Sequence, residues 1–458
     1  MQSRTSLPLF LLTTAILALS ACTSDSSSKE KQECQVGTSV GCDEGLVCEA
    51  VENVKSACFE PIRIEGQVTD ALDGSAVNGA LVVARDANGA AVSGTAKTDA
   101  EGNYSLIVPV KRNTEGNPVS DQSYVLRADA SGFLTFPTAP RIAVPIDVSK
   151  ATSGVVDSAA TDVTMIPLQN TTSLGTISGK IDIEDPKGTL VVAGKATALA
   201  ATDGTFTIFN VPAGEHTVSA YRVGINIEST SVTVKTDEVT EGVSLRASAE
   251  PAVTLSGKVE IVNPGVGSDT SVILVVDDTF VENAARGESP PGLRVGNVSG
   301  DFTFEGVPNG KYVVLAAFEN DFLVRDPDTC IGGTDIVRVT VSGSNVTLDE
   351  SFKITGALDV TSPDDEMVVE GTPTFVWADD SSEGTYALSV YDAFGNLVWE
   401  DPAVPGVSGG KTVSVTYGGS ALTPGMIYQF RAVSLRKNAC AISRTEDLRG
   451  TFTVKYRT

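Results

Sequence analysis

Apolar and polar residues alternate along the body of the chain in short runs, with glycine, aspartate, asparagine and proline between them. Tyr386-Ala387-Leu388-Ser389-Val390-Tyr391-Asp392 turns every second side chain to one face, the period of a half-buried strand. Ile64-Glu65-Gly66-Gln67-Val68, Ile177-Ser178-Gly179-Lys180-Ile181 and Leu255-Ser256-Gly257-Lys258-Val259 share one order: apolar, polar, glycine, polar, apolar. Glycine at the centre of a buried face leaves room for a neighbour to approach closely. No long amphipathic helix can be read, so the pattern predicts an all-β protein of tandem β-sandwich domains.

The strands recur as a repeat. Asp203-Gly204-Thr205-Phe206-Thr207-Ile208-Phe209-Asn210-Val211-Pro212-Ala213-Gly214 matches Ser299-Gly300-Asp301-Phe302-Thr303-Phe304-Glu305-Gly306-Val307-Pro308-Asn309-Gly310. An earlier copy is Thr98-Asp99-Ala100-Glu101-Gly102-Asn103-Tyr104-Ser105-Leu106. Gly102, Gly204 and Gly300 are expected to supply the positive φ of a hairpin turn. Tyr104, Phe206 and Phe302, with Leu106, Ile208 and Phe304 two residues on, should fill the core. The only histidine, His216, falls where the next copy has Tyr312, which predicts a structural role.

The N-terminus is of another kind. Arg4 precedes an apolar run from Leu7 to Leu19, too short for a membrane-crossing helix of about 20 residues but right for the core of a secretory signal. After Cys22 comes Thr23-Ser24-Asp25-Ser26-Ser27-Ser28-Lys29-Glu30-Lys31-Gln32, a serine-rich flexible tether reaching at most about 35 Å.

Of seven cysteines, Cys34, Cys42, Cys48 and Cys58 crowd together. A module this small needs staples, so two internal bridges are expected, in any of three pairings. The gaps between these cysteines are wider than the close pairs of a zinc site. Cys330 and Cys440 are candidates for a further bridge joining the last two domains. Acids outnumber bases 58 to 33, and such a surface repels phosphate backbones, so no nucleic-acid partner is expected. The pairs and triplets Asp277-Asp278, Asp326-Pro327-Asp328, Asp364-Asp365-Glu366 and Asp379-Asp380 lack the alternating ligand spacing of a calcium loop and read as solubility.

Leu19-Ser20-Ala21-Cys22 resembles the lipobox of bacterial lipoproteins. The resemblance implies a diacylglycerol on the Cys22 thiol, cleavage before Cys22 and acylation of the new amine. Several acyl chains anchor a protein firmly. Thr23 stands where an aspartate signals retention at the inner membrane in such proteins, so the resemblance favours a lipid-anchored place in the outer membrane of the bacterial cell envelope. The first repeat, with Asp73-Gly74, Gly79-Ala80-Leu81-Val82-Val83, Thr98-Asp99, Gly102-Asn103-Tyr104 and Tyr124 to Phe133, resembles the carboxypeptidase regulatory-like domain, a prealbumin-like sandwich. The next two copies depart from it between opening strand and hairpin, and resemble it in fold more than in family. This group implies no catalytic residues and includes starch-binding relatives. The last hundred residues, with Pro373-Thr374-Phe375-Val376-Trp377 and Leu422-Thr423-Pro424-Gly425-Met426-Ile427-Tyr428, are similar to a fibronectin type III domain. Its two tryptophans are expected in the core.

The expected map is a signal peptide over 1–21, tether 22–33, Cys-rich module 34–60, sandwiches over 61–170, 174–247 and 251–350, and the fibronectin-like sandwich over 356–458. Strung end to end, these would form a rod or a bent chain. No nucleophile, phosphate loop or histidine metal site is legible, so no catalytic residue, metal or cofactor is assigned. Lys180 and Lys258, the candidates for an isopeptide bond, should face solvent. The expected function is a non-enzymatic surface lipoprotein serving as spacer, scaffold or adhesive protein, with the membrane held through Cys22. Candidate partners are a surface polysaccharide or another envelope protein. The alternative is a carbohydrate-binding surface protein using exposed rings among Tyr221, Phe280, Phe318 and Phe322.

Overall fold

The computed structural model describes residues 33–455, except 87–88, 120–121, 139–140, 142, 263–268, 283–285, 318–321, 326–335, 350, 366, 381–382, 408–410, 438 and 447–448. Cys22, the signal segment, Phe318 and Cys330 therefore lie outside the described residues. The regular structure among those described is strand, apart from two short 3₁₀ turns, Val148–Lys150 and Asp277–Thr279. No helix among them is long and apolar enough to cross a membrane.

Three sandwiches share one plan. The opening strand (Ile62–Asp70, Leu174–Asp182 or Val253–Val262) pairs antiparallel with the hairpin strand (Asn103–Val108, Thr205–Pro212 or Asp301–Val307). On its other edge it pairs parallel with later strands, such as Val163–Met165, Val239–Arg246 and Phe352–Gly356. The facing sheet is built around Leu81–Arg85, Leu190–Ala193 or Thr270–Val276.

The register explains the shared motif. Gly66 stands opposite Tyr104, Gly179 opposite Phe206 and Gly257 opposite Phe302. The rings of Phe206 and Phe302 occupy the space a Cβ would need, 2.7 and 2.6 Å from it. Any side chain at the glycine would expel the aromatic from the core. Gly102, Gly204 and Gly300 accept the equivalent backbone hydrogen bond, from Val68, Ile181 and Val259. Gly102 and Gly204 have φ near +80°, as expected. Gly300 does not have a positive φ; the nearby left-handed residue is Asn297, at +54°, inside the preceding strand Arg294–Val298 where its pairing register shifts.

The last domain is a two-sheet β-sandwich. Val360–Ser362, Thr374–Ala378 and Thr412–Thr416 make one sheet. Met367–Val369, Thr451–Val454, Ile427–Leu435, Thr385–Asp392 and Leu397–Pro405 lie side by side in the other. Trp377 is fully buried among Phe375, Tyr386 and Phe430. Trp399 is half-buried and stacks on Phe375. The Tyr428 hydroxyl accepts a hydrogen bond from the Thr423 amide at 2.9 Å, the arrangement of a tyrosine corner.

The N-terminal module is stapled by Cys34–Cys48 and Cys42–Cys58. It is also sewn to the first sandwich. Val47–Val51 pairs parallel with Lys111–Arg112, and the Arg112 guanidinium bonds Glu49 beneath the Phe59 ring. Cys440 is disulfide-bonded, and no other described cysteine is free to be its partner.

The sandwiches do not follow one another as a simple rod. The central strands of their facing sheets are buried on both sides. Val191 and Ala193 face the core of the second sandwich, while Leu190 and Val192 join a cluster continuous with the core of the third. Val83 of the first sandwich joins the same cluster. Continuous apolar runs such as Leu81-Val82-Val83-Ala84 and Val272-Ile273-Leu274-Val275-Val276 serve this two-sided burial, as runs in doubly covered sheets do.

Candidate functional site

Two junctions between sandwiches hold buried charge. The first lies where three sandwiches meet. Arg127 and Asp129 sit two apart on the strand Ser123–Asp129, so both side chains leave on the same face. That face is turned away from the first sandwich's core and is fully covered. Arg127 Nε donates to Asp129 Oδ2 at 2.7 Å, and Nη2 donates to Thr197 Oγ1 of the second sandwich at 2.8 Å. Arg127 Nη1 meets Glu288 Oε1 of the third sandwich at 2.8 Å. The other oxygen of Glu288 takes Arg85 Nη2 at 2.7 Å. Glu288 is held by its backbone: its amide donates to Thr279 Oγ1 and its carbonyl accepts from the Val276 amide. Burial pushes the Glu288 carboxyl up, but Arg127 and Arg85 outweigh it and hold the group below its ordinary value. Burial likewise works against charge on Arg127, yet Asp129 and Glu288 keep it firmly protonated.

Asparagines lock the neighbouring joints. Asn210 accepts from the Gly132 amide and donates to the carbonyls of Ala130 and Phe133, tying the second sandwich to the first. Asn226 accepts from the Asn309 amide and donates to the Glu250 and Pro251 carbonyls, at the joint with the third. Beside it Tyr221 packs edge-on against Tyr312.

The second junction is a groove of about 730 Å³ between the first sandwich and the C-terminal domain. Its walls include Phe136, Val144, Tyr391, Phe394, Met426 and Tyr428. Arg141 stands in it, only 7% exposed. Its guanidinium carbon lies 4.4 Å from the Phe136 ring centre and 5.4 Å from that of Phe394. No acid among the described residues pairs with it. Asp392, the acid whose field it feels, spends its oxygens on the Phe394 and Asn396 amides and the Asn396 side chain. Asp162, also in the wall, accepts from the Gln67 amide. Among the described residues Arg141 Nε has no hydrogen-bond partner. Burial pushes its pKa down to about 10, so it remains a cation at neutral pH. Desolvating a lone charge costs several kcal/mol, whereas a cation–π contact returns about 0.5–2 kcal/mol. Two rings therefore leave Arg141 undercompensated.

The residues singled out from sequence are placed as follows. His216 Nε2 lies 2.7 Å from the Pro212 carbonyl, and the Tyr312 hydroxyl donates to the Pro308 carbonyl at 2.9 Å. The two aligned rings thus make the same local bond, and Nε2 must carry the hydrogen. Lys180 and Lys258 are exposed. Sulfurs of Cys34, Cys42 and Cys58 lie within 4.8 Å of one another, but each is committed to a disulfide and cannot act as a thiolate ligand. Among the candidate sugar-binding aromatics, Tyr221 and Phe280 are half-buried. Phe322, at 39% exposure, is the one exposed ring among the described residues, so these residues form no flat aromatic platform. Sequence reading missed Arg127, Glu288 and Arg141. The Arg127-x-Asp129 spacing, opposite charges on one strand face, was the available signal for the first. Nothing local marks the other two.

No protein-family model matches the chain, and no curated protein matches it. Among solved structures, a DUF3823 family protein from Bacteroides ovatus aligns over 44% of this chain and 98% of its own, at 11% identity and a TM-score of 0.21. A Bacteroides uniformis protein described as a candidate carbohydrate-binding protein covers 44% and 99%, at 12% identity and a TM-score of 0.19. A streptococcal ancillary pilin covers 65% and 99%, at 10% identity and a TM-score of 0.16. At these values the likeness reaches neither function nor domain arrangement, and the fold stands on the sheets themselves.

Proposed function

We propose that this protein is a lipid-anchored scaffold of the bacterial envelope, held through Cys22 and presenting a rigid block of β-sandwiches. The observation that carries the reading is Glu288 of the third sandwich seated between Arg85 and Arg127 of the first, with Arg127 also bonded to Thr197 of the second, so that three domains meet on one buried ion cluster. The two N-terminal disulfides suit an oxidising compartment outside the cytosol. The single histidine is engaged by backbone, which favours a binding or structural role over acid–base chemistry. The first three sandwiches are read as prealbumin-like and the last as fibronectin type III-like. The reading places the chain at the outer membrane and assigns Cys330 as the partner of Cys440.

Metabolic labelling with an alkyne fatty acid tests the anchor. The native chain should take up label and sediment with the envelope, and Cys22→Ser should do neither. Unchanged labelling in Cys22→Ser would refute the anchor.

A further inference from the structure

We propose that the groove between the first sandwich and the C-terminal domain binds a small aromatic carboxylate, its anionic group on Arg141 and its flat body between the rings of Phe136, Phe394 and Tyr391. This goes beyond the scaffold reading and does not depend on the lipid anchor.

Three observations converge. Arg141 is more than nine-tenths buried, and neither Asp392 nor Asp162 bonds it, because both are occupied by backbone amides. Its Nε has no hydrogen-bond partner among the described residues. The surrounding groove has the volume of a small-molecule site, typically some 300–1,000 Å³. A carboxylate matches the fork of a guanidinium in a bidentate pair, which a neutral ligand cannot reproduce. The aromatic walls favour a flat body over an open polyol, since rings gain from offset or edge contacts with other rings. The net charge of −25 repels anions at long range, so any affinity must arise locally, at this dry cation.

The wall facing Arg141 is fixed as well. The turn from Asp392 to Asn396 brings Gly395 so close that a Cβ there would lie 3.1 Å from the Arg141 backbone nitrogen. The site is thus shared by two domains and exists only while they are docked.

The test is calorimetric titration of the full-length chain in nonionic detergent with 2-naphthoate and with 2-naphthamide, which keeps the ring system and lacks the charge. A protein-free titration subtracts partition into micelles. We expect naphthoate to bind at least tenfold more tightly than the amide, and Arg141→Met to erase that preference. Met426→Trp, which fills the groove from the opposite wall and leaves Arg141 in place, should abolish naphthoate binding. The proposal is overturned by equal affinity for the two compounds, by no binding of naphthoate, or by naphthoate binding that survives Met426→Trp.

Discussion

Glu288 reaches Arg127 with Oε1 2.8 Å from Nη1, and by this contact a loop of the third sandwich closes over a fully buried arginine of the first. The pair also holds Asp129 and Thr197 in place through Arg127, so one side chain organises three domains. Removing one partner from a buried ion pair strands the other charge, at a cost of about 3–5 kcal/mol. Glu288→Ala should therefore lower the stability of the joined sandwiches by that amount in guanidinium unfolding. Lys235→Ala, which removes an exposed pair with Glu238, should leave the midpoint unchanged.

The same junction sets an acid limit. Glu288 has its folded pKa below the ordinary 4.5 because Arg127 and Arg85 outweigh its burial. A depressed acid contributes its stability in full above the unfolded value and loses it as pH falls through the folded one. Unfolding midpoints should hold steady from pH 7 to about 5 and decline below about 4.5. In Glu288→Gln that part of the decline should be missing.

The opening-strand glycines differ sharply from the turn glycine of the third copy. A Cβ at Gly179 would lie 2.2 Å from the Val243 carbonyl oxygen and 2.7 Å from the Phe206 ring. Overpacking of this kind costs about 1–3 kcal/mol, and Gly179→Ala should show at least that loss in chemical denaturation. Gly300 has open space around its Cβ position and no left-handed backbone. Gly300→Ala should be neutral within about 0.5 kcal/mol.

The N-terminal module depends on its staples. The bridges close segments of 14 and 16 residues, for which the chain-entropy model gives about 3 kcal/mol each. Cys42→Ser with Cys58→Ser should raise amide exchange across Val47–Phe59, with the strand Asn103–Val108 keeping its protection. Exchange mass spectrometry reads both segments in one experiment.

Much of this architecture is written in local pattern. The repeat Gly-x-aromatic located the hairpins, and the alternation around Gly66, Gly179 and Gly257 located the strands they pair with. The cysteine spacing fixed the staple count but left three pairings, because connectivity depends on how the loop folds back. Trp377 was legible as core and lies there, while Trp399 packs half-buried against the same cluster. The domain arrangement was not legible in the same way. Glu288 belongs to a loop, and its partners Arg85 and Arg127 lie in another domain, so no periodicity links them. Arg141 likewise sits in an irregular segment whose burial comes from a turn around Gly395. The continuous apolar runs at Leu81–Ala84 and Val272–Val276 carry a signal for two covered faces that the reading of alternating strands did not use.

Rigid joining of the sandwiches is most directly measured by pulsed electron–electron spin resonance between labels at Leu72→Cys in the first sandwich and Lys258→Cys in the third. Both positions are exposed. The account predicts one narrow distance distribution at pH 7 that broadens in Glu288→Ala. A broad distribution in the otherwise native chain, unchanged by Glu288→Ala, would contradict it.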